Sequence, residues 1–354
     1  MAKTFETLQA FCDAGFDTVI DVRAPSEFAE DHIPGAISLP VLSDAERADV
    51  GTIYVQDSPF KARKLGAALV ARNAADHICG PLADKDGSWR PLVYCWRGGQ
   101  RSNSFASILS QIGWRTEVVD GGYRTYRRLV VDLMHKSTLP HALILLDGNT
   151  GTAKTDLLLR LGQLGVQIID LEGLAAHRGS LFGAVAGGQP SQKMFESRLA
   201  AAIVTLDPTR PVLLEAESSR IGDLNLPASL WTAMCAAPRI EVQAPPSERA
   251  GYLVRAYSDV ISDRMRMADT LAALTSVQGH ERVESWQKMA VSGDHVTLAQ
   301  SLMQEHYDPR YRRWRARQNV VADVVLTVND MSETGLDLAA EQLADRIAAG
   351  ITAR

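Results

Sequence analysis

The chain has 354 residues, 46% hydrophobic and 22% charged, and its 37 basic and 42 acidic side chains give a formal charge of −5. These proportions exclude a largely disordered or collagen-like chain. An acidic total argues against indiscriminate nucleic-acid binding but permits a local basic patch. No run approaches the ~18 apolar residues of a membrane span, and no basic flank followed by an apolar core opens the sequence. A cytoplasmic protein without membrane association, of about two domains, is expected.

In chain order, residues 17–22 (DTVIDV) read as a short strand, 25–30 as a helical turn and 36–39 as a second strand. Residues 58–72 place Ala62, Leu65, Ala68 and Leu69 at helical spacing behind a Ser-Pro start. A buried-type strand at 91–95 (PLVYC), a helix at 101–111 closed by Gly113, and a strand at 117–119 follow. Strands alternating with helices imply a parallel sheet covered on both faces. Residues 133–141 (LMHKSTLPH) read as a linker. A second block opens with strand 142–146 (ALILL), a Gly/Thr loop and helix 156–163, then strands at 166–170 and 211–215. After Pro245 and Pro246 the pattern is helical almost to residue 320, followed by a strand at 319–329 and a helix at 336–348. The expected class is α/β: a parallel-sheet domain over 1–132, a linker over 133–141, and a P-loop-type α/β domain with helical C-terminal additions over 142–354.

None of the four cysteines, Cys12, Cys79, Cys95 and Cys235, forms a CxxC pair, so neither a zinc site nor a disulfide scaffold is expected. Apolar neighbours mark Cys12 and Cys235 as buried small hydrophobes; Cys79, in a Gly/Pro loop, stays open. Cys95 differs. It ends a strand, and Trp96, Arg97, Gly98, Gly99 and Gln100 lead to Arg101, where a helix begins. This order aims backbone N–H groups and a helix N-terminus at the sulfur, and the arginines add positive charge. Both favour the nucleophilic thiolate. The C-x5-R spacing can wrap a phosphate-sized oxyanion, with Arg101 placed for a bidentate contact.

The blocks Asp21-Val22-Arg23-Ala24-Pro25-Ser26-Glu27-Phe28, His32-Ile33-Pro34-Gly35-Ala36, the Cys95 loop and Asp120-Gly121-Gly122-Tyr123 together resemble a rhodanese domain. The resemblance implies that the cysteine carries sulfur or selenium. The loop is one residue longer than in many sulfurtransferases and is similar to that of rhodanese-like phosphatases, which favours a phosphorus-containing substrate. Asp21, Arg23, Glu27 and His32 are read as structural groups that fix the loop and a turn.

Residues 144–158 read strand, loop, helix, and Gly148-Asn149-Thr150-Gly151-Thr152-Ala153-Lys154-Thr155 nearly matches the P-loop pattern G-x4-G-K-[ST]. Backbone N–H groups would cradle a diphosphate, Lys154 would neutralise it, and Thr155 could reach a Mg²⁺ ion. Ala153 departs from the pattern. If φ is positive there, alanine costs on the order of 1 kcal/mol, which counts against ATP hydrolysis more than against diphosphate binding. Glu215 and Glu217 are candidate acidic partners, with Asp147 and Asp170 as alternatives. Two clusters mix basic and aromatic residues: 310–317 (RYRRWRAR), with Arg310, Arg312, Arg313, Trp314 and Arg315, and 123–128 (YRTYRR), with Arg124, Arg127 and Arg128. They suit single-stranded RNA, or they are solvated helix faces paired with nearby acids.

Further blocks are Asp170-Leu171-Glu172-Gly173-Leu174-Ala175-Ala176-His177-Arg178-Gly179-Ser180, Gln189-Pro190-Ser191-Gln192-Lys193, and Glu215-Ala216-Glu217-Ser218-Ser219-Arg220-Ile221-Gly222. With the Cys95 loop and the P-loop, they make nearly the whole chain similar to the bacterial tRNA 2-selenouridine synthase family. The resemblance implies S-geranylation of wobble 2-thiouridine in the tRNAs for Lys, Glu and Gln with geranyl diphosphate. Selenium from selenophosphate, supplied by a selenophosphate synthetase, then replaces the geranylthio group. It implies no tightly bound cofactor and no resident metal, and leaves Mg²⁺ use open. Cys95 carries selenium covalently or only positions the donor. Asp170, His177, Arg178, Ser191, Gln192, Lys193, Glu217 and Arg220 are candidates for a second site, scaffold or tRNA contact. The alternatives are a rhodanese-type sulfurtransferase coupled to a P-loop ATPase, a cysteine phosphatase, and a tRNA-binding scaffold with degenerate sites.

Overall fold

The computed structural model describes residues 2–318 and 322–350, with the side chains of 314, 317 and 318 outside the description. The chain forms two compact units, Met1–Thr138 with Pro190–Thr205, and Leu139–Gln189 with Leu206–Arg354.

The first unit contains strands β1 (Ala2–Lys3), β2 (Thr18–Asp21), β3 (Ile37–Ser38), β4 (Pro91–Tyr94) and β5 (Glu117–Val119). They form one parallel sheet in the order β1-β5-β4-β2-β3. All four residues of β4 are buried, as an inner strand covered on both faces requires. Ile20 and Val93 pair across the sheet and share a core with Phe105, Leu109 and Trp114. The helix begun at Ser58 extends further than its periodicity indicated, over Pro59–Cys79. Before it lies a helix absent from the sequence reading, Asp44–Gln56, started by Ser43 and Glu46, each side chain bonded to the other's backbone N–H. That reciprocal capping box is visible as S-x-x-E.

Three sequence expectations need correction. Cys12 and Cys235 are exposed. Leu8 and Phe11 take the buried stripe of helix Leu8–Cys12, and Leu230 and Met234 that of Ala228–Ala236, so each cysteine falls one position off the stripe. The expected linker begins as structure: helix Tyr123–Val131 continues as a π-helical turn, Asp132–Lys136, with Met134 buried. Residues 192–204, included by sequence in the 142–354 domain without an element of their own, form helix Gln192–Val204, which belongs to the first unit. Its Ser197 hydroxyl donates to Asp31 at 3.1 Å and its Glu196 pairs with Arg127.

The second unit contains β6 (Leu143–Gly148), β7 (Gln167–Ile169), β8 (Val212–Glu215), β9 (Arg220–Ile221), β10 (Leu224–Asn225), β11 (Arg239–Gln243) and β12 (Val324–Thr327). Its parallel sheet has the order β12-β11-β6-β8-β7, and β9 and β10 make a separate antiparallel pair. The last strand falls within the expected 319–329, whose residues 319–321 lie outside the description. Helices from Ser258–Ser262 to His295–Leu302 build a second core around Trp286, Leu271, Val260 and Leu298. Among the described residues no helix is long and apolar enough to cross a membrane.

Candidate active sites

Each parallel sheet ends its central strand in a glycine-containing loop. Strands β4 and β6 both lie third in their sheets, and ligands of open α/β sheets bind beyond the carboxyl ends of such strands.

In the first unit Cys95 follows β4 and is 3% exposed, its Sγ lying 3.2 Å from Ser102 Oγ in helix Gln100–Ile112. The Tyr123 N–H donates to the Cys95 carbonyl at 2.8 Å, and the Arg124 N–H to that of Trp96 at 3.2 Å. Gly98 has φ +65°, and a Cβ there would lie 2.7 Å from the Val119 carbonyl oxygen. A Cβ on Gly122 would collide with the Cys95 carbonyl and the Gly98 N–H. Only glycines let these two backbones lie against each other.

Arg101 donates to Glu27 at 2.8 Å, and Arg47 pairs with the same carboxylate at 3.2 Å. Burial pushes the Glu27 carboxyl up, but the bond and charge of Arg101, the Ala24 N–H and Arg47 together hold it below the usual range. Asp21 and Arg23 form a fully buried pair at 2.6 Å. Arg23 also donates to the Asp31 carbonyl and lies over the Tyr123 ring at 4.1 Å. His32 stacks on Phe28 at 3.7 Å. Trp96 stacks on Tyr123 at 5.2 Å, and the two share a groove of about 310 Å³ with Arg124, Arg127, Arg128 and Lys193. Within it Arg127 is bound to Glu196, and Lys193 to Glu30 at 2.5 Å. Arg124 and Arg128 are exposed, as is Arg97 on the cysteine loop.

In the second unit β6 runs into Asn149, Thr150, Gly151 and Thr152, and helix Lys154–Gln163 starts after Ala153. Ala153 sits at φ 55°, ψ 34°, the left-handed conformation in which a Cβ costs about 1–2 kcal/mol. Lys154 Nζ donates to the Gly148 carbonyl at 3.0 Å, across the loop. Burial alone would drain its charge, but Tyr311, Glu217, Glu172 and Asp147 outweigh that and hold its pKa up. Thr155 Oγ1 donates to Glu172 at 3.1 Å. Arg249 donates to the Thr150 carbonyl at 2.7 Å and pairs with Asp308.

A cavity of about 550 Å³ opens on this loop, lined by Lys154, Thr155, Glu172, Glu217, Arg178 and Arg310 among others. Burial first, then their mutual repulsion, raises the carboxyl of Glu172, and burial raises that of Glu217 against the pull of Lys154. Glu215 is also raised, by burial and by Asp170, Glu172 and Glu217. Beside this space lies an almost wholly apolar cavity of about 70 Å³, walled by Phe182, Val260, Met267, Leu298, Leu302 and Met303. Thr150, Ser180, Leu253, Tyr257 and Tyr307 line both.

The second-site candidates separate. Arg178 and Glu217 reach the P-loop cavity. Asp170 caps a helix through the Gly173 N–H at 2.7 Å, His177 accepts from the Gly179 N–H at 3.2 Å, and Arg220 is bound to Gly222 and Asp223 in its own turn. Ser191, Gln192 and Lys193 lie in the first unit. The cluster 310–317 also divides. Arg310 lines the cavity and bonds His306 at 3.2 Å, while Arg312 and Arg313 are exposed. Arg315 is held by Asp147 and Glu241, both at 2.9 Å, and is not free to meet RNA. Trp314 lies in helix Asp308–Gln318, with its side chain outside the described residues. Glu172, Tyr257 and Tyr307 were not singled out from sequence, whereas Tyr311, an aromatic of the 310–317 cluster, lines the P-loop cavity. Glu172 had a signal, as an acid two residues beyond a predicted strand end.

Fold and sites define a two-unit α/β protein with a rhodanese-type cysteine loop and a P-loop. The rhodanese-like domain family matches residues 4–129, and the family described as tRNA 2-selenouridine synthase AAA domain matches residues 141–335. Curated relatives named tRNA 2-selenouridine synthase include that of Aeromonas salmonicida, 34% identical over 83% of this chain and 86% of its own. That of Shewanella denitrificans is 32% identical over 82% and 77%, and that of Hahella chejuensis 33% over 83% and 84%. The chain belongs to the tRNA 2-selenouridine synthase family.

Proposed function

We propose that this chain is a tRNA-modifying transferase that works in two steps. It S-geranylates wobble 2-thiouridine, in the tRNAs for Lys, Glu and Gln, with geranyl diphosphate, and then exchanges the geranylthio group for selenium. The observation that carries this reading is the apolar cavity that has Thr150, Ser180, Leu253, Tyr257 and Tyr307 in common with the P-loop space. A prenyl diphosphate has a charged head and a hydrocarbon tail to place side by side.

In the first step the thiocarbonyl sulfur attacks C1 of the geranyl group. The C–O bond breaks, diphosphate leaves and the uridine N3 proton is lost. Lys154 and the backbone N–H groups of residues 148–155 stabilise the charge growing on the leaving group. Thr155 and Glu172, already bonded, fit a Mg²⁺ that arrives with the diphosphate. Among the described residues no cluster of three or more His, Cys, Asp or Glu is arranged to hold a metal by itself.

In the second step selenium from selenophosphate attacks C2, the C2–S bond breaks, and geranylthiol departs with a proton. Water takes the phosphoryl group, so phosphate is the other product. Cys95 and the N–H groups of its loop hold the donor, with Arg101 at its edge.

The test is mass spectrometry of nucleosides after incubating the protein with 2-thiouridine tRNA and geranyl diphosphate, with and without selenophosphate. A geranyl adduct that becomes selenouridine only with selenophosphate supports the reading. Unchanged tRNA in both tubes, with thiosulfate sulfurtransferase and ATPase activity instead, overturns it.

A further inference from the structure

The Cys95 loop has a neighbour for which the chemistry of a cysteine and an oxyanion has no use. A groove of about 320 Å³ opens at the first turn of helix Gln100–Ile112. Leu42 and Val70 are buried in it, Val50 and the exposed Tyr54 continue the apolar surface, and Gln100 and Arg101 form its polar edge. Those two residues end the C-x5-R segment that starts at Cys95, so the groove begins where that segment turns into the helix. Helices Asp44–Gln56 and Pro59–Cys79 supply its other walls.

The two-step reading requires the nucleoside to reach this loop with a ten-carbon chain on its sulfur. That chain has to stay out of water while the C2–S bond is exchanged. We propose that the groove binds the geranyl chain of the 2-geranylthiouridine intermediate. It is then a second isoprenoid site, separate from the cavity that takes the same chain as a diphosphate ester. The inference rests on the two-step reading. It assigns to the unit that carries the cysteine a selectivity for tRNA already geranylated, so the order of the steps is set by recognition of the hydrocarbon. Arg63, also on the groove, offers a cation for a phosphate of the same nucleotide.

The test uses the full chain and two anticodon stem-loops, one with 2-(geranylthio)uridine and one with 2-(methylthio)uridine, each with selenophosphate. The wild type should select the geranyl substrate by at least ~10-fold in kcat/KM. Ala67→Phe fills the groove from an exposed helix position. It should remove that selectivity, leave the methyl substrate reacting as before, and leave geranyl transfer from geranyl diphosphate unchanged. Ala299→Phe, which fills the apolar cavity beside the P-loop space, should do the reverse. Equal wild-type rates on the two stem-loops, or selectivity that survives Ala67→Phe and disappears only in Ala299→Phe, would overturn the proposal. Failure of the two-step reading shows separately, as absence of geranyl transfer from geranyl diphosphate by the wild type.

Discussion

Arg101 and Glu27 are joined at 2.8 Å on the edge of the Cys95 loop. The cation that the loop spacing aimed at an oxyanion is thereby paired and held in one orientation before any substrate arrives. Glu27 follows the buried Asp21–Arg23 pair on the next turn of chain, so the first rhodanese-like block positions the last residue of the cysteine loop.

This pair gives a pH prediction. The folded state holds the Glu27 carboxyl below its ordinary range, so its contribution to stability is complete above the unfolded value of about 4.3. That contribution is lost as pH falls through the folded value. In Glu27→Gln the thermal midpoint should therefore fall less steeply with acid than in the wild type. Calorimetry between pH 3 and 7 checks it; parallel curves would contradict it.

The two loops should fail separately. On the two-step reading Lys154→Ala removes the charge that would face the leaving group, and the geranylation rate should drop by about 10²–10³-fold while selenation of pre-geranylated tRNA persists. Cys95→Ala should show the opposite pattern. Single-step assays on the two tRNA forms decide this, and equal loss of both steps in either variant would refute the division of labour.

Glu172 and Glu217 should tie P-loop stability to pH with the opposite sign to Glu27. Both carboxyls are raised in the folded protein, so the folded state binds more protons than the unfolded one and the contribution declines as pH climbs past about 4.3. Glu217→Gln should flatten that decline, so that its melting temperature gains on the wild type between pH 5 and 8. No pH dependence in the difference would show that the Glu217 carboxyl is not raised in the folded protein.

Ala153 offers a test of backbone strain. Ala153→Gly removes about 1–2 kcal/mol of left-handed strain and returns ~0.4–1 kcal/mol of freedom to the unfolded chain, so stability should change by less than about 2 kcal/mol. Ala153→Val puts a branched Cβ at φ 55° and should destabilise clearly. Denaturant titration of the two variants measures both.

The sequence disclosed what is local. Strand runs such as PLVYC and ALILL, and the glycine loops after them, announce both sites because strand, turn and helix start lie within a dozen residues. The capping box at Ser43 and Glu46 was equally local but was missed, because apolar periodicity is weak in the helix it starts. What sequence did not show is long-range pairing. Arg315 looks like its neighbours in RYRRWRAR, and only the fold reveals Asp147 and Glu241 against it. The apolar cavity beside the P-loop draws on Phe182, Met267 and Leu302, whose separation in the chain conceals that they meet.

Helix Gln192–Val204 changes what a truncation of this protein would mean. The backbone leaves the first unit after Thr138, returns for Pro190–Thr205 and leaves again, so the units are stitched by three crossings. A gene fragment ending at the apparent domain boundary would encode a rhodanese-like sheet without the helix whose Phe195, Leu199 and Ile203 are buried. Such a fragment would expose the surface that this helix covers and leave Asp31 without Ser197. A single protease cut between the domains would not set either unit loose.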